Sequence, residues 1–160
     1  MSALILTSVL GVLVLYLGLF GRKEWLAPVG VLGLLGAIAL LAFDGRWTDL
    51  AQFHHMIRFD GPAVLFGMGL LALTALIFLF GVDYYARETD NVAEQYALMI
   101  FSVTGALVLV SYTNLLMLFL GIEVLSIPLY ILAGAKKRSY RSGEASFKYF
   151  LLGSFASAFL

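Results

Sequence analysis

Long apolar stretches separated by short polar segments are the feature of this sequence that most limits its fold. Most of them approach the roughly 20 residues that an α-helix needs to cross a bilayer core of about 30 Å. Hydrophobic residues make up 62% of the 160 residues and charged residues 12%, and the mean hydropathy is +0.98. A water-soluble fold of this size has no interior large enough for that much apolar surface. The sequence therefore predicts an integral membrane protein built from helices.

The expected fold class is all-α, a polytopic membrane helix bundle with five complete transmembrane helices and the start of a sixth. No secretory signal is expected, because the first apolar stretch lacks a preceding positive charge and a following small-residue cleavage site. The last stretch is still apolar at Leu160, so we expect a single transmembrane domain that is the N-terminal portion of a larger bundle. The predicted helices cover residues of about 3–20, 26–43, 62–82, 96–112, 115–134 and 144–160.

The basic residues of the connections predict how the chain is oriented in the membrane. Loops rich in Lys and Arg stay in the cytoplasm. The connections after the first, third and fifth helices hold seven such residues, and the opposite connections hold two. The N-terminus is therefore expected on the outer side of a bacterial inner (plasma) membrane. The seven residues are Arg22, Lys23, Arg87, Lys136, Lys137, Arg138 and Arg141, and the two are Arg46 and Arg58.

One carboxylate, Glu123, lies in the middle of the fifth apolar segment. An ionisable group at a helix centre costs about 2.5–3.5 kcal/mol on insertion scales, so Glu123 is a candidate functional residue that faces other helices or water. Ser126 and Tyr130 follow at i+3 and i+7 and share its helix face. Pro128 removes the hydrogen bond to the Val124 carbonyl, which is left for water or a cation. The alternative is a glutamate buried for packing beside a proline kink, without proton transfer.

Lys148, in the sixth segment, is the second unusual charge. Glu144 precedes it by four residues, so an ion pair on the helix surface and extension of the lysine to the interface would satisfy it fully. Lys148 lies about 10 Å nearer the cytoplasmic surface than Glu123 at 1.5 Å per residue, so a relay between them would need bridging water. From the residues alone, the surface pair and a functional role both stay open.

The remaining side chains indicate little further chemistry. The chain has no cysteine, which excludes disulfides and thiolate-bound iron–sulfur clusters within it. The adjacent His54 and His55 lie in a polar connection, where solvation is far more common than metal binding or pH sensing. The basic run 136–141 is interpreted as a topology signal and a contact for anionic lipids. We expect no metal, no cofactor and no nucleic acid bound to this chain.

Two motifs resemble a known family. Residues 118–134 contain Gly-Ile-Glu-x-Leu-Ser-x-Pro-Leu around Glu123, and residues 142–153 contain Glu-Ala-x-x-Lys-Tyr around Lys148. The pair is similar to the antiporter-like membrane subunits of respiratory complex I, the proton-pumping NADH:quinone oxidoreductase, and the chain matches their N-terminal third. Residues 57–61 and 94–112 match more loosely.

The resemblance implies a translocase subunit that takes part in proton translocation coupled to NADH-driven quinone reduction, within a bundle of two inverted repeats. Its partners would be other complex I membrane subunits and the lipid bilayer, with NADH, flavin, iron–sulfur clusters and quinone held by partner subunits. The resemblance also implies a proton relay, expected to be buried, of Glu123 and Lys148. The candidate supporting residues are Ser126, Pro128, Tyr130 and Glu144.

Two other functions fit the same residues. A subunit of a multi-component sodium/proton antiporter or of a membrane-bound hydrogenase would use the same glutamate and lysine without NADH. A purely structural membrane subunit would need Glu123 only for assembly.

Overall fold

The computed structural model describes residues 2–20, 25–44, 56–88, 91–136 and 139–160 of the chain. These residues form six helices, and five of them are long and apolar enough to cross a membrane. The predicted fold class is confirmed. The helices are α1 (Ser2–Leu19), α2 (Leu26–Asp44), α3 (Gly61–Glu88), α4 (Val92–Ser111), α5 (Leu115–Ala133) and α6 (Tyr140–Ser157).

Helix α4 is the centre of the bundle. It packs against α1, α3 and α5, and 56% of its membrane span is buried, against 17% to 33% for the other four spans. The apolar core therefore lies among α1 to α4, with α5 packed on one side of it. Helix α6 packs mainly against α5 and has no buried residue of its own. The largest buried side chains of the core include Val14, Leu26, Leu34, Leu71, Phe78, Tyr96, Ile100 and Leu107.

Helices α3 and α4 both continue into the segment 83–95, which the sequence predicts as an exposed loop. Helix α3 extends to Glu88. A helix can continue beyond the membrane in this way, since its backbone N–H and C=O groups pair with each other in lipid and in water alike. Aromatic packing supports the extension, since the rings of Tyr85 and Tyr96 lie 5.6 Å apart at the two facing helix ends. Burial raises the pKa of the Tyr85 phenol, and the nearby Tyr84 raises it further, so Tyr85 is neutral at physiological pH.

The segment before α3 braces the tight connection between α4 and α5. The Arg58 backbone N–H donates to the Ser111 carbonyl at 2.7 Å, and the Thr113 N–H donates to the Met56 carbonyl at 3.2 Å. Because only residues 112–114 separate α4 from α5, the two helices are antiparallel neighbours. This brace fixes the end of the hairpin that carries Glu123.

Side-chain caps set where three of the helices begin. The Asp60 carboxylate accepts from the Ala63 N–H at 3.2 Å, as the Asp-Gly-Pro sequence predicts for α3. The Asn114 side chain accepts from the Met117 N–H at 2.9 Å and caps α5. Ser139 caps α6, which begins at Tyr140 rather than at residue 144 as predicted. The earlier start places Lys148 two turns inside the helix.

Replacing Asn114 with alanine should lower the free energy of unfolding by about 1 kcal/mol, because the Met117 N–H loses its acceptor. Asn114→Asp keeps an acceptor oxygen and should retain most of the stability. The measurement is the unfolding midpoint of purified protein in mixed micelles of increasing denaturing detergent. Equal losses for both variants would show that the cap is not the cause.

The Glu123 face of helix α5

Glu123 occupies the middle of α5, in a helix whose other residues within the bilayer are almost all apolar. Its side chain is half-buried. Across the parts of the chain that the structure describes, the carboxylate has no hydrogen-bond or salt-bridge partner. A half-buried carboxylate at this depth is therefore open to water, to a cation or to another chain.

The side of α5 that faces α4 is in backbone contact with it. A Cβ atom added at Gly105 would lie 2.7 Å from the Val124 carbonyl carbon and 2.8 Å from the Leu125 Cα. A Cβ added at Gly121 would lie 2.8 Å from the Leu109 Cδ2. Small residues at both points allow the two backbones to approach this closely. The contacts lie just before and just after Glu123 in the sequence.

A hydrogen bond from α4 reaches the α5 backbone at the proline. The Ser102 hydroxyl donates to the Leu125 carbonyl at 3.3 Å. Pro128 is buried inside α5 and has no N–H, so the Val124 carbonyl lacks its usual helical donor. In the turn before Pro128, the Val124 carbonyl therefore lacks a helical donor, and the next carbonyl, that of Leu125, is bonded by the neighbouring helix α4.

The predicted polar stripe lies on the opposite side of α5. At about 100° per residue, Glu123, Ser126 and Tyr130 fall about 140° to 200° around the helix from Gly121, which faces α4. Tyr130 is buried against α6, with its ring 4.7 Å from that of Tyr149 in a T-shaped contact. Ser126 is half-buried. Glu123 thus lies outside the core of α1 to α4. It is on the same side of α5 as Tyr130, which packs against α6 about two turns further along the helix.

Hydroxyl groups of α6 hold it against the end of α5. The Ser146 hydroxyl donates to the Tyr130 carbonyl at 2.6 Å, and the Ser142 hydroxyl donates to the Ala133 carbonyl at 2.7 Å. The Tyr130 hydroxyl lies directly over Gly153, where any Cβ would overlap it. These contacts give Tyr130 a packing role between α5 and α6.

Lys148 is paired with Glu144. Its ammonium lies 2.5 Å from the Glu144 carboxylate, and the two side chains are 67% and 44% exposed. The two residues are one turn apart on α6, so each satisfies the other without help from α5. Within the described residues the expected buried relay of Glu123 and Lys148 is not formed, and that part of the prediction is corrected to an exposed pair on α6.

An apolar groove of about 450 Å³ runs between α5 and α6. Glu123 does not line it, and of the described residues that do, Ser146 and Tyr130 are the two with polar side chains. Among the described residues no cluster of His, Cys, Asp or Glu is suited to a metal ion. His54 and His55 lie outside the described residues.

Sequence reasoning did not identify four residues of α4. Gln95 falls in the segment that the sequence predicts as an exposed loop, yet its side chain and that of Tyr96 are buried, and one oxygen of each lacks a hydrogen-bond partner among the described residues. Ser102 and Gly105 were not singled out either. Their spacing of three residues, which puts two small side chains on one helix face, is the signal that could have indicated a close helix contact.

The comparisons with known proteins agree with the helical architecture. The family model described as NADH:quinone oxidoreductase/Mrp antiporter, TM, matches residues 112–160. That range covers α5 and α6, including both motifs around Glu123 and Lys148.

Relatives match over nearly the whole chain. NADH-quinone oxidoreductase subunit N of Cytophaga hutchinsonii is 41% identical over 160 residues, covering 100% of this chain and 35% of that protein. Subunit N of Flavobacterium psychrophilum is 35% identical over 162 residues, with 100% and 35% covered. The chain thus spans about a third of the length of these relatives.

A solved structure gives the same result. A chain of respiratory complex I from Thermus thermophilus with bound aureothin superposes with a TM-score of 0.74 and 26% identity, covering 98% of this chain and 34% of that one. Sequence and fold therefore agree over the same stretch. The chain is a homologue of NADH-quinone oxidoreductase subunit N, matching about a third of its length.

Proposed function

We propose that this chain is part of a membrane-arm subunit of a proton-translocating NADH:quinone oxidoreductase and that Glu123 carries a proton during translocation. The observation that supports this most is a half-buried carboxylate in the middle of a membrane-spanning helix of a subunit N homologue. Such carboxylates are expensive to place in a bilayer and commonly lie on proton paths. NADH, flavin, iron–sulfur clusters and quinone would be bound by partner subunits.

The mechanism is electrostatic. Bringing a positive charge or water to a carboxylate favours the ionised form, and removing either favours the protonated form. Glu123 is accessible on the α6 side of α5, so a change there alters its surroundings without disturbing the core of α1 to α4. Redox events in partner subunits would move that charge or water, and Glu123 would take up and release a proton in step.

Glu123→Gln should lower proton translocation per electron transferred, because the amide keeps the shape of the side chain but cannot carry the proton. A group that transfers protons commonly contributes about 10²-fold or more to the rate of its own step, so the share of the proton-to-electron ratio that depends on Glu123 should be lost almost completely. The measurement is NADH-driven acidification in inverted membrane vesicles that hold the complete enzyme, normalised to electron flow.

Glu94→Gln is the matched control, since Glu94 is exposed in the first turn of α4 and, among the described residues, is bonded only to Asn91. It should leave the stoichiometry unchanged. Glu123→Asp retains a carboxyl group and should retain part of the activity. An unchanged proton-to-electron ratio in Glu123→Gln would contradict the proposed role.

We propose Lys148 as a second group of the relay. The support is the family motif in which it stands, and its exposed pair with Glu144 opposes any direct contact with Glu123. If Lys148 acts only by pairing with Glu144, Lys148→Gln and Glu144→Gln should lower proton translocation equally and slightly. Exposed ion pairs contribute only about 0.2–1 kcal/mol to stability. A relay role predicts that Lys148→Gln lowers translocation well below Glu144→Gln in the same vesicle assay.

The excess of basic residues supports an outward N-terminus. Because the sequence has no cysteine, Ser2→Cys and Tyr140→Cys each give a single thiol at opposite ends of the bundle. A membrane-impermeant maleimide should label Ser2→Cys from the outer side and Tyr140→Cys from the cytoplasmic side, using vesicles of both orientations. Labelling in the reverse pattern would overturn the orientation.

A sodium/proton antiporter subunit is the second candidate, because the matching family model covers the Mrp antiporters as well. Deleting the gene separates the two. Loss of NADH-quinone reductase activity supports the oxidoreductase, and sodium sensitivity with intact respiration supports the antiporter. A purely structural role would appear as an assembly defect in Glu123→Gln with normal proton translocation by the enzyme that does assemble.

A further inference from the structure

We propose that Gly105 is a positioning residue, which fixes the rotation of α5 and thereby the side of the helix on which Glu123 lies. The importance of that rotation for activity rests on the proposed function, whereas the positioning itself does not. Gly105 is on α4 and does not contact the reacting group, so its effect would pass through the α5 backbone.

Gly105 faces backbone atoms of α5, not side chains. The nearest neighbours of an added Cβ are the backbone nitrogen and Cα of Leu125 and the carbonyl carbon of Val124. A side chain could rotate away from such a Cβ, but a helix backbone moves only as a unit. Any other residue at 105 must therefore shift or turn α5.

The contact between α4 and α5 is fixed at more than one point. One turn before Leu125 on α5, Gly121 lies close to Leu109 of α4. The Ser102 hydroxyl of α4 donates a hydrogen bond to the Leu125 carbonyl. Points of contact on both sides of Glu123 leave α5 little freedom to turn about its axis. Glu123 is directly bonded to Val124, so a turn that relieves a clash at Gly105 moves the carboxylate relative to α6.

The test uses the absence of natural cysteine. In membranes that hold the complete protein, Glu123→Cys gives a unique thiol whose rate of reaction with a small water-soluble thiosulfonate reports its accessibility. Adding Gly105→Ala should change this rate by about tenfold, since overpacking against a neighbour that cannot yield displaces the backbone. Gly69→Ala is the control, because a Cβ at Gly69 of α3 meets nothing within 4 Å, and it should leave the rate unchanged.

A compensation experiment separates backbone from side-chain contact. A Cβ at Gly121 would lie 2.8 and 2.9 Å from the Leu109 side-chain atoms and 3.2 Å from the Leu109 backbone nitrogen. Because the closest contacts are with the side chain, adding Leu109→Ala to Gly121→Ala should restore much of the rate. Leu109→Ala should not restore the thiol reaction rate when it is added to Gly105→Ala, because the clash at residue 105 is with backbone atoms of α5. Restoration of both would overturn the proposal, since the two contacts would then be ordinary side-chain packing.

Ser102→Ala keeps the test valid if Gly105→Ala does not accumulate in the membrane. It removes only the hydrogen bond to Leu125 and should shift the rate less than Gly105→Ala, about twofold. An unchanged rate in Gly105→Ala protein that accumulates normally, or in Ser102→Ala where Gly105→Ala fails, would overturn the proposal.

In the complete enzyme with its natural Glu123, Gly105→Ala should also displace the pH profile of proton translocation, which a loss of stability alone would not do. If Gly105→Ala shifts the rate of the Glu123→Cys thiol but Glu123→Gln translocates protons normally, the positioning role of Gly105 is supported and the proposed function of Glu123 is rejected. A shifted thiol rate with an unmoved pH profile would reject the link between the two.

Discussion

The backbone contact between α4 and α5 is the interaction on which the rest of the structure depends. Association of helices in lipid relies on close packing and hydrogen bonds, because lipid tails are as apolar as the side chains and give no hydrophobic drive. Here glycines on both helices bring the backbones together, and Ser102 adds a hydrogen bond at the proline turn. With one face of α5 held in this way, the opposite face is left for polar residues.

That division of α5 explains how a costly carboxylate can stand in a stable helix. The face towards α4 carries glycine, proline and apolar residues, and it supplies the packing. The other face carries Glu123 and Ser126, with Tyr130 anchoring α6 through aromatic contacts. Stability and the candidate chemistry are thus assigned to different sides of one helix. A change in the surroundings of Glu123 need not weaken the core.

The sequence predicted the helices and the candidate carboxylate because both depend on properties local to the chain. Hydropathy over bilayer-length windows identifies spans, and Asp60 before Gly-Pro identifies a helix start. The extension of α3 to Glu88 was missed because polar composition says nothing against a helix that leaves the membrane. The start of α4 at Val92 was missed for the same reason, whereas the burial of Gln95 depends on how the helices pack around it.

The partners of the charges depended on three-dimensional packing, which the sequence does not carry directly. Spacing alone allowed Lys148 either to pair with Glu144 or to serve a relay, and the structure has the exposed pair. The contact at Gly105 was not predicted, because its three-residue spacing from Ser102 indicates a close helix approach but does not say that the α5 backbone lies opposite it.

The central claim is that Glu123 changes its protonation during turnover, and difference infrared spectroscopy of the working enzyme tests it most directly. We expect a band from a protonated carboxylic acid that appears or disappears as NADH is oxidised and is lost in Glu123→Gln. The same band persisting unchanged in Glu123→Gln would contradict the claim.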